Sequence, residues 1–253
     1  MKVKIIKKSI PWGHGETNSF CFLPEDKGSS VAIFSHGYTS HKGALLPWAV
    51  KLSQIGIATI LFDLPGHYLG TFSEVSNFKH FSKNAHNLFY QALNSFIEEL
   101  DFKQEFKVIL GGHSLGSLLA LKAADSFNKH KTLLLCVGHG LSHVGEPMVF
   151  DSQFFRDTMH FREQLVSPAL SPSNVFPWIQ QEQQLLSLKH QKIILVSGKD
   201  DLVVSEKSVV DLKNHLEGKN NLVFLEMANR LPHNAPELAS SLIKKLIKDH
   251  DFA

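Results

Sequence analysis

Residues Ile109–Ala120 read "ILGGHSLGSLLA". An apolar run leads into Gly112-His113-Ser114-Leu115-Gly116, and a run of good helix formers follows. The spacing Gly-x-Ser-x-Gly suits a backbone that turns sharply from strand to helix and lifts its middle residue to the tip. Glycine relieves the crowding of such a turn, where a Cβ would press on the neighbouring strand or helix. Ser114 is therefore a candidate nucleophile. The plain alternative is a glycine-rich turn with a surface serine, and the rest of the chain has to decide between them.

Working outward, apolar strand-like runs alternate with helical spacing. Val3 to Ile10 and Asn18 to Leu23 predict two strands joined by the turn-rich "PWGHGE". "SSVAIFSHG" predicts a strand ending at Gly37, followed by a helix over Leu45 to Gln54 and a buried strand in "IATILFDLPG". Leu88, Ala92, Leu93 and Phe96 recur at helical spacing within Asn84 to Leu100. "KVILGG" then leads to the serine turn, "SLLALKAADSF" forms the helix behind it, and "KTLLLCVG" is the next strand. Further on come the strand "KIILVSG", a helix from Glu206 to Leu216, the strand "NLVFLEM" and a helix from Glu237 to Lys248. Continuous Ile/Val/Leu strands separated by helices are what a parallel sheet covered on both faces requires. The expected fold class is α/β.

One segment breaks the alternation. From His139 to Leu188 the chain is rich in Phe, Gln, Pro and His, with no long apolar strand. A structureless loop of that length would be unusual in a compact domain, so a mostly helical insertion over the edge of the sheet is expected. The whole chain, 1–253, reads as one domain carrying this insertion.

Composition narrows the function. Hydrophobic residues make up 43% and charged residues 20%, the balance of a soluble globular protein rather than a disordered one. Lys+Arg at 26 against Asp+Glu at 24 leaves no basic stripe, so nucleic acid is not an expected partner. No run reaches the length of a membrane span, and the lysine-interrupted first residues lack the apolar stretch of a signal peptide. Cys21 and Cys136 each sit in a strand-like stretch and read as buried thiols, which suggests a reducing, cytoplasmic setting. The 15 histidines are scattered without metal-ligand spacing, so no metal is expected.

A serine hydroxyl is a poor nucleophile at neutral pH. It needs a histidine to take its proton and an acid to orient that histidine. In a sheet with helices on both faces, such groups sit on loops at the carboxyl ends of strands. Asp200 and Asp201 follow "KIILVSG", and His233 follows "NLVFLEM", as the one histidine on its loop. Serine, aspartate and histidine thus arrive in the order that α/β-hydrolase mechanics uses. Glu98 and Glu99, by contrast, sit on a helix and read as a solvated face.

On these motifs the chain resembles the α/β-hydrolase superfamily over most of its length. His36-Gly37 resembles the family's oxyanion segment, Asp63 to His67 ("DLPGH") its Asp-x-x-Gly-His turn, and "GHSLG" its nucleophile turn. Gly198-Lys199-Asp200-Asp201 resembles its Gly-x-x-Asp acid loop, which implies Asp201 as the acid with Asp200 as the local rival. The insertion falls where the family carries its cap. Two departures stand out. Asn229 occupies the position where many members carry the histidine, so His233 takes the base role; and "GHYLGTFS" is longer than the usual turn. The resemblance also implies backbone N–H groups of Tyr38 and Leu115 as oxyanion donors. His36 then reads as a structural residue of the oxyanion loop, and His113 as packing beside the nucleophile.

The expectation is therefore a cofactor-free serine hydrolase of small-molecule carboxylic esters, with Ser114, His233 and Asp201 as its triad. An acyl thioesterase is the nearest alternative, and a non-catalytic binding protein is the alternative of a different class. Aromatics of the insertion, among them Phe150, Phe154, Phe155, Phe161, Phe176 and Trp178, either line an acyl pocket or pack the cap onto the body.

Overall fold

The fold is that of a computed structural model, which describes residues 2–13, 15–142 and 153–253; the side chains of residues 153–156 and 159 lie outside the description. Eight strands form one sheet in the order β1-β2-β4-β3-β5-β6-β7-β8. They are β1 (Val3–Trp12), β2 (Gly15–Pro24), β3 (Ser30–Ser35), β4 (Ala58–Phe62), β5 (Lys107–His113), β6 (Lys131–Val137), β7 (Lys192–Gly198) and β8 (Leu222–Ala228). β1 pairs antiparallel with β2, and β2 antiparallel with β4, while every pairing from β4 to β8 is parallel.

The hairpin is longer than "PWGHGE" suggests. Pro11, Trp12, Gly15 and Glu16 are themselves paired, with Gly13 at φ +55° in the turn. A tight hairpin favours a residue that tolerates positive φ. Trp12 is buried and packs edge-on to Phe81, so a residue that reads as turn is held as strand by a tertiary contact.

Period-two alternation sends side chains of each central strand to opposite faces. Val31, Ile33, Val108, Leu110, Leu134, Cys136, Ile193 and Leu195 join one apolar cluster, with α3 (Leu88–Leu100), α4 (Leu115–Ala123) and α7 (Glu206–Glu217). Ala32, Phe34, Ile109, Leu133, Leu135, Ile194 and Val196 join the other, under α1 (Leu46–Ser53) and α8 (Ser240–Asp249). Both faces are apolar because both are covered, which is why these strands read as continuous hydrophobic runs. Cys21 and Cys136 are free, buried thiols, both pushed up to about 12 chiefly by burial.

Several boundaries differ from the sequence reading. α3 starts at Leu88; the residues before it form a separate α2 (Phe78–Asn84) and a 3-10 turn over Ala85–Asn87. α2 is short, and it is Phe81, fully buried against Trp12 and Trp178, that gives it a reason to form. α8 is preceded by a 3-10 turn at Pro236–Ala239. Glu99 is not simply solvated, since Lys8 Nζ meets its carboxylate at 2.6 Å.

Between β6 and β7 the described residues are mainly helical: α5 (Gln153–Gln164), a 3-10 turn at Pro168–Leu170 and α6 (Pro172–Leu185). The lengthened "GHYLGTFS" turn is what this segment docks on. Tyr68 N–H donates to Leu165 C=O (2.9 Å), Ser167 N–H to Gly66 C=O (2.8 Å), and His67 bridges Val166. Ser167 Oγ in turn accepts from Val75 N–H at 2.9 Å. Among the described residues no helix is long and apolar enough to cross a membrane.

Candidate active site

Ser114 stands between β5 and α4 with φ 50° and ψ −110°. That conformation is strained for a residue with a side chain, and it persists only where the surroundings impose it. Here tight packing does so. A Cβ at Gly112 would lie 2.3 Å from Ser35 O, and one at Gly116 would lie 2.1 Å from the same oxygen. The two glycines of the motif thus let α4 and β5 close onto the end of β3, with Ser114 projecting at the tip.

The segment expected to supply an oxyanion donor follows β3. His36 is buried; its Nδ1 donates to Gly37 C=O (2.8 Å) and its Nε2 accepts from Leu64 N–H (2.9 Å). A Cβ at Gly37 would sit 2.8 Å from His113 Nδ1 and 3.3 Å from Ser114 Cβ, so the segment lies directly against the serine. Among the described residues the Tyr38 N–H makes no backbone hydrogen bond. Leu115 is the first residue of α4, where an N–H has no intrahelical acceptor.

Beneath this segment lies a pair that sequence reading did not single out. Lys42, nearly buried, places Nζ on the buried Asp63 carboxylate, and its N–H donates to Asp63 Oδ1 at 2.7 Å. Asp63 comes from the "DLPGH" turn, so this pair ties the turn to the loop after β3. Nothing in the spacing of Lys42 announces it.

The acid and histidine loops meet across the ends of β7 and β8. His233 Nδ1 lies 2.9 Å from Asp201 Oδ2, while Asp201 Oδ1 accepts from Val203 N–H (2.8 Å) and Val204 N–H (2.9 Å). Asp200 faces elsewhere: its Oδ1 accepts from Leu231 N–H at 2.7 Å. That bond, with Lys199 N–H to Ala228 C=O at 2.8 Å, folds the loop after β8 back onto the acid loop. Close approach helps, since a Cβ at Gly198 would fall 2.0 Å from Leu231 O. Asn229 is exposed and His233 is not, so the re-routed loop delivers the later residue.

His113 braces this arrangement. Its ring centroid is 4.7 Å from that of His233. Ser114, His233, Asp201, Tyr38 and Leu115 all line one cavity of about 920 Å³. Ser114 Oγ makes no hydrogen bond among the described residues; such bonds often tighten only when substrate binds.

The residues match the model of the alpha/beta hydrolase family over 32–236. The chain belongs to that family. Solved structures similar to this family member include a lipase in its open form (15% identity, TM-score 0.68, covering 96% of this chain and 97% of that one). An esterase of Pyrococcus furiosus is similar at 17% identity and TM-score 0.66 (98% and 91% covered). A thioesterase domain from the curacin biosynthetic pathway follows at 15% and 0.63 (97% and 99% covered). At these identities the likeness is one of fold. No curated protein matches the sequence.

Four histidines around the site are held neutral. Burial is the chief cause in each: it pushes His36 and His67 down to about 3 and His139 to about 4, and it holds His113 well below 6.5. Their folded values lie below the unfolded one, so between about pH 6.5 and pH 4 the unfolded chain binds protons that the folded chain does not. The stability they allow is complete above pH 6.5 and is lost as the pH falls through that window. The urea midpoint should therefore hold steady from pH 8 to 7 and drop clearly by pH 5; an equal midpoint at pH 7 and 5 contradicts the burial of these rings.

Proposed function

We propose that this chain is a serine hydrolase that cleaves carboxylic esters through an acyl-enzyme. The observation that supports it best is the Asp201–His233 pair, formed in the wall of the cavity that Ser114 also lines. Asp201 accepts from the Nδ1–H of His233, which leaves Nε2 as the proton acceptor. Ser114 Oγ attacks the ester carbonyl carbon as His233 Nε2 takes its proton. The carbonyl oxygen becomes an oxyanion held by the N–H groups of Tyr38 and Leu115, donors that need no reorganisation when the charge develops. Collapse of the tetrahedral species expels the alcohol, which receives the proton from His233. Water, deprotonated in the same way, then releases the acid and restores Ser114. Each step uses groups of the chain itself.

The segment of residues 139–188 acts in this reading as a lid that selects the acyl part. Phe161, on α5, is 64% exposed and lines the cavity, and the nearly buried Phe176 lines it too. Trp178 packs instead on Phe78 and Phe81, on the body of the protein. Phe150, and the side chains of Phe154 and Phe155, lie outside the described residues. Because Phe161 is exposed, Phe161→Ala should shift the preferred acyl length of p-nitrophenyl esters without slowing fluorophosphonate labelling of Ser114. An unchanged length profile removes Phe161 from selection.

The test of the whole reading is a fluorophosphonate probe followed by a panel of p-nitrophenyl esters and acyl-CoAs of graded length. Labelling at Ser114 with ester turnover supports it, turnover of acyl-CoAs alone makes the chain a thioesterase, and no labelling favours a binding protein. For the acid, Asp201→Asn should lower kcat by about 10⁴-fold, since an amide holds the wrong imidazole tautomer. Asp200→Asn should cost far less, and the reverse ranking moves the acid to Asp200.

A further inference from the structure

A buried amide and a buried imidazole meet where α6 approaches the end of β6. His139, just past β6, is 4% exposed, and Gln183, on α6, is 3% exposed. Both line the cavity that Ser114 lines. Gly138 sets His139 beside the proposed base: its φ is +60°, and a Cβ there would lie 3.1 Å from His113 Nε2 and 3.2 Å from His233 Nδ1. The chain leaving β6 therefore packs directly on those two rings.

A buried carboxamide needs partners for both of its ends. Gln183 Oε1 accepts from Ser142 N–H at 2.9 Å, and this fixes the orientation of the amide, because only the oxygen can face a backbone N–H. Gln183 Nε2 then directs its own N–H toward His139 Nε2, 3.5 Å away, the outer limit of a hydrogen bond. A ring nitrogen that faces a donor carries no proton of its own, so the neutral imidazole holds its proton on Nδ1. Burial keeps the ring neutral by pulling His139 down to about 4. Among the described residues His139 Nδ1 makes no hydrogen bond. Gln183 is thus a positioning residue, and His139 keeps an open donor of fixed identity.

The serines beside this pair serve the fold. Ser205 Oγ caps α7 by accepting from Ser208 N–H (3.2 Å), and Ser208 Oγ donates to Ser205 C=O (2.8 Å). Leu141, Leu165 and Ile179 make other parts of the cavity wall apolar. A fixed donor in such surroundings orients a mostly apolar ligand.

We infer that His139 Nδ1–H binds an uncharged acceptor oxygen of the substrate, an ether, hydroxyl or carbonyl oxygen a few bonds from the scissile ester. An anion is disfavoured there, because the Asp201 carboxylate is held on the adjoining His233.

This inference rests on the ester-hydrolase reading, and the experiment separates the two. Two matched pairs of esters differ by an oxygen in place of a methylene: p-nitrophenyl β-methoxypropanoate against p-nitrophenyl pentanoate, and methoxyethyl butanoate against butyl butanoate. The first pair probes the acyl side and the second the alcohol side. With rates divided by those of hydroxide hydrolysis, the wild type should favour the ether in one pair by about fivefold to tenfold in kcat/KM, the worth of one hydrogen bond. His139→Phe should abolish that preference through KM, and Gln183→Met, which frees the imidazole to take either tautomer, should reduce it about threefold. Each ratio is read within one variant, so a general loss of activity cancels. No preference in either pair, or a preference kept in His139→Phe, overturns the inference and leaves the hydrolase reading intact. Should His139→Phe fail to fold, a preference unchanged in Gln183→Met overturns it instead. If the wild type turns over no ester, the hydrolase reading fails, and nitrogen NMR of isotope-labelled histidines decides. A His139 Nδ1–H signal that moves on adding methoxyethyl butanoate but not butyl butanoate sustains the site. An unmoved signal, or the Nε2–H tautomer, overturns it.

Discussion

Ser114→Ala should abolish fluorophosphonate labelling and lower kcat for any ester turned over by the wild type by about 10⁵- to 10⁶-fold. The expected size comes from the chemistry: without Oγ there is no acyl-enzyme, and His233 and Asp201 have nothing to activate. The proposed oxyanion donors and the cavity survive the change, so a small residual rate above water is expected rather than none. The fold should survive as well. Ser114 Oγ makes no hydrogen bond among the described residues, and the strained backbone at φ 50° is imposed by Gly112 and Gly116 packing on Ser35, not by the hydroxyl. Thermal melting within about 2 °C of the wild type should accompany the loss. A variant with wild-type turnover ends the serine mechanism.

His233→Ala should be nearly as severe, lowering the rate of acylation by about 10⁴- to 10⁶-fold, as removal of one triad member does. Burst kinetics with a p-nitrophenyl ester reads acylation directly. The companion variant is Asn229→Ala, at the position where many family members carry their histidine. Asn229 is exposed and should tolerate the change with activity within about twofold, as surface substitutions usually do. A severe loss in Asn229→Ala with a mild one in His233→Ala would reassign the loop. The prediction is sharp because the path of this loop depends on bonds from a different part of the chain: Leu231 N–H to Asp200, and His233 to Asp201.

Those two bonds also show where sequence reading stops. That an acid loop and a histidine loop follow β7 and β8 was legible, because strand ends are marked locally by the change from Ile/Val/Leu runs to glycine, asparagine and aspartate. Which of two adjacent aspartates faces the histidine was legible only through the family resemblance, which implies Asp201, and not from the local residues. Asp200 and Asp201 have the same local sequence surroundings, and the choice between them is made by contacts with residues about thirty positions away, on the neighbouring strand's loop. The histidine carries the same lesson: Asn229 is exposed and His233 is half-buried on Asp201, while Leu231 between them packs into the apolar cluster under α1 and α8.

By itself the sequence determined the α/β class, the succession of eight strands, the glycine-framed turn at Ser114 and the chain order Ser, Asp, His. Each is encoded over short range, in the alternation of apolar residues or in a few positions where only glycine fits. Tertiary structure alone decided the rest. It extended the first hairpin through Trp12 by burying that ring on Phe81, and it made a helix of Phe78–Asn84 around the same phenylalanine. It set Lys42 on Asp63 beside the loop after β3, tied Tyr38 to Leu170 across 132 positions of chain, and brought Arg162 to Thr39 across 123. No local pattern carries such contacts, because a side chain's partner across a cavity is set by how the sheet and its covering helices pack, and packing is a property of the whole chain.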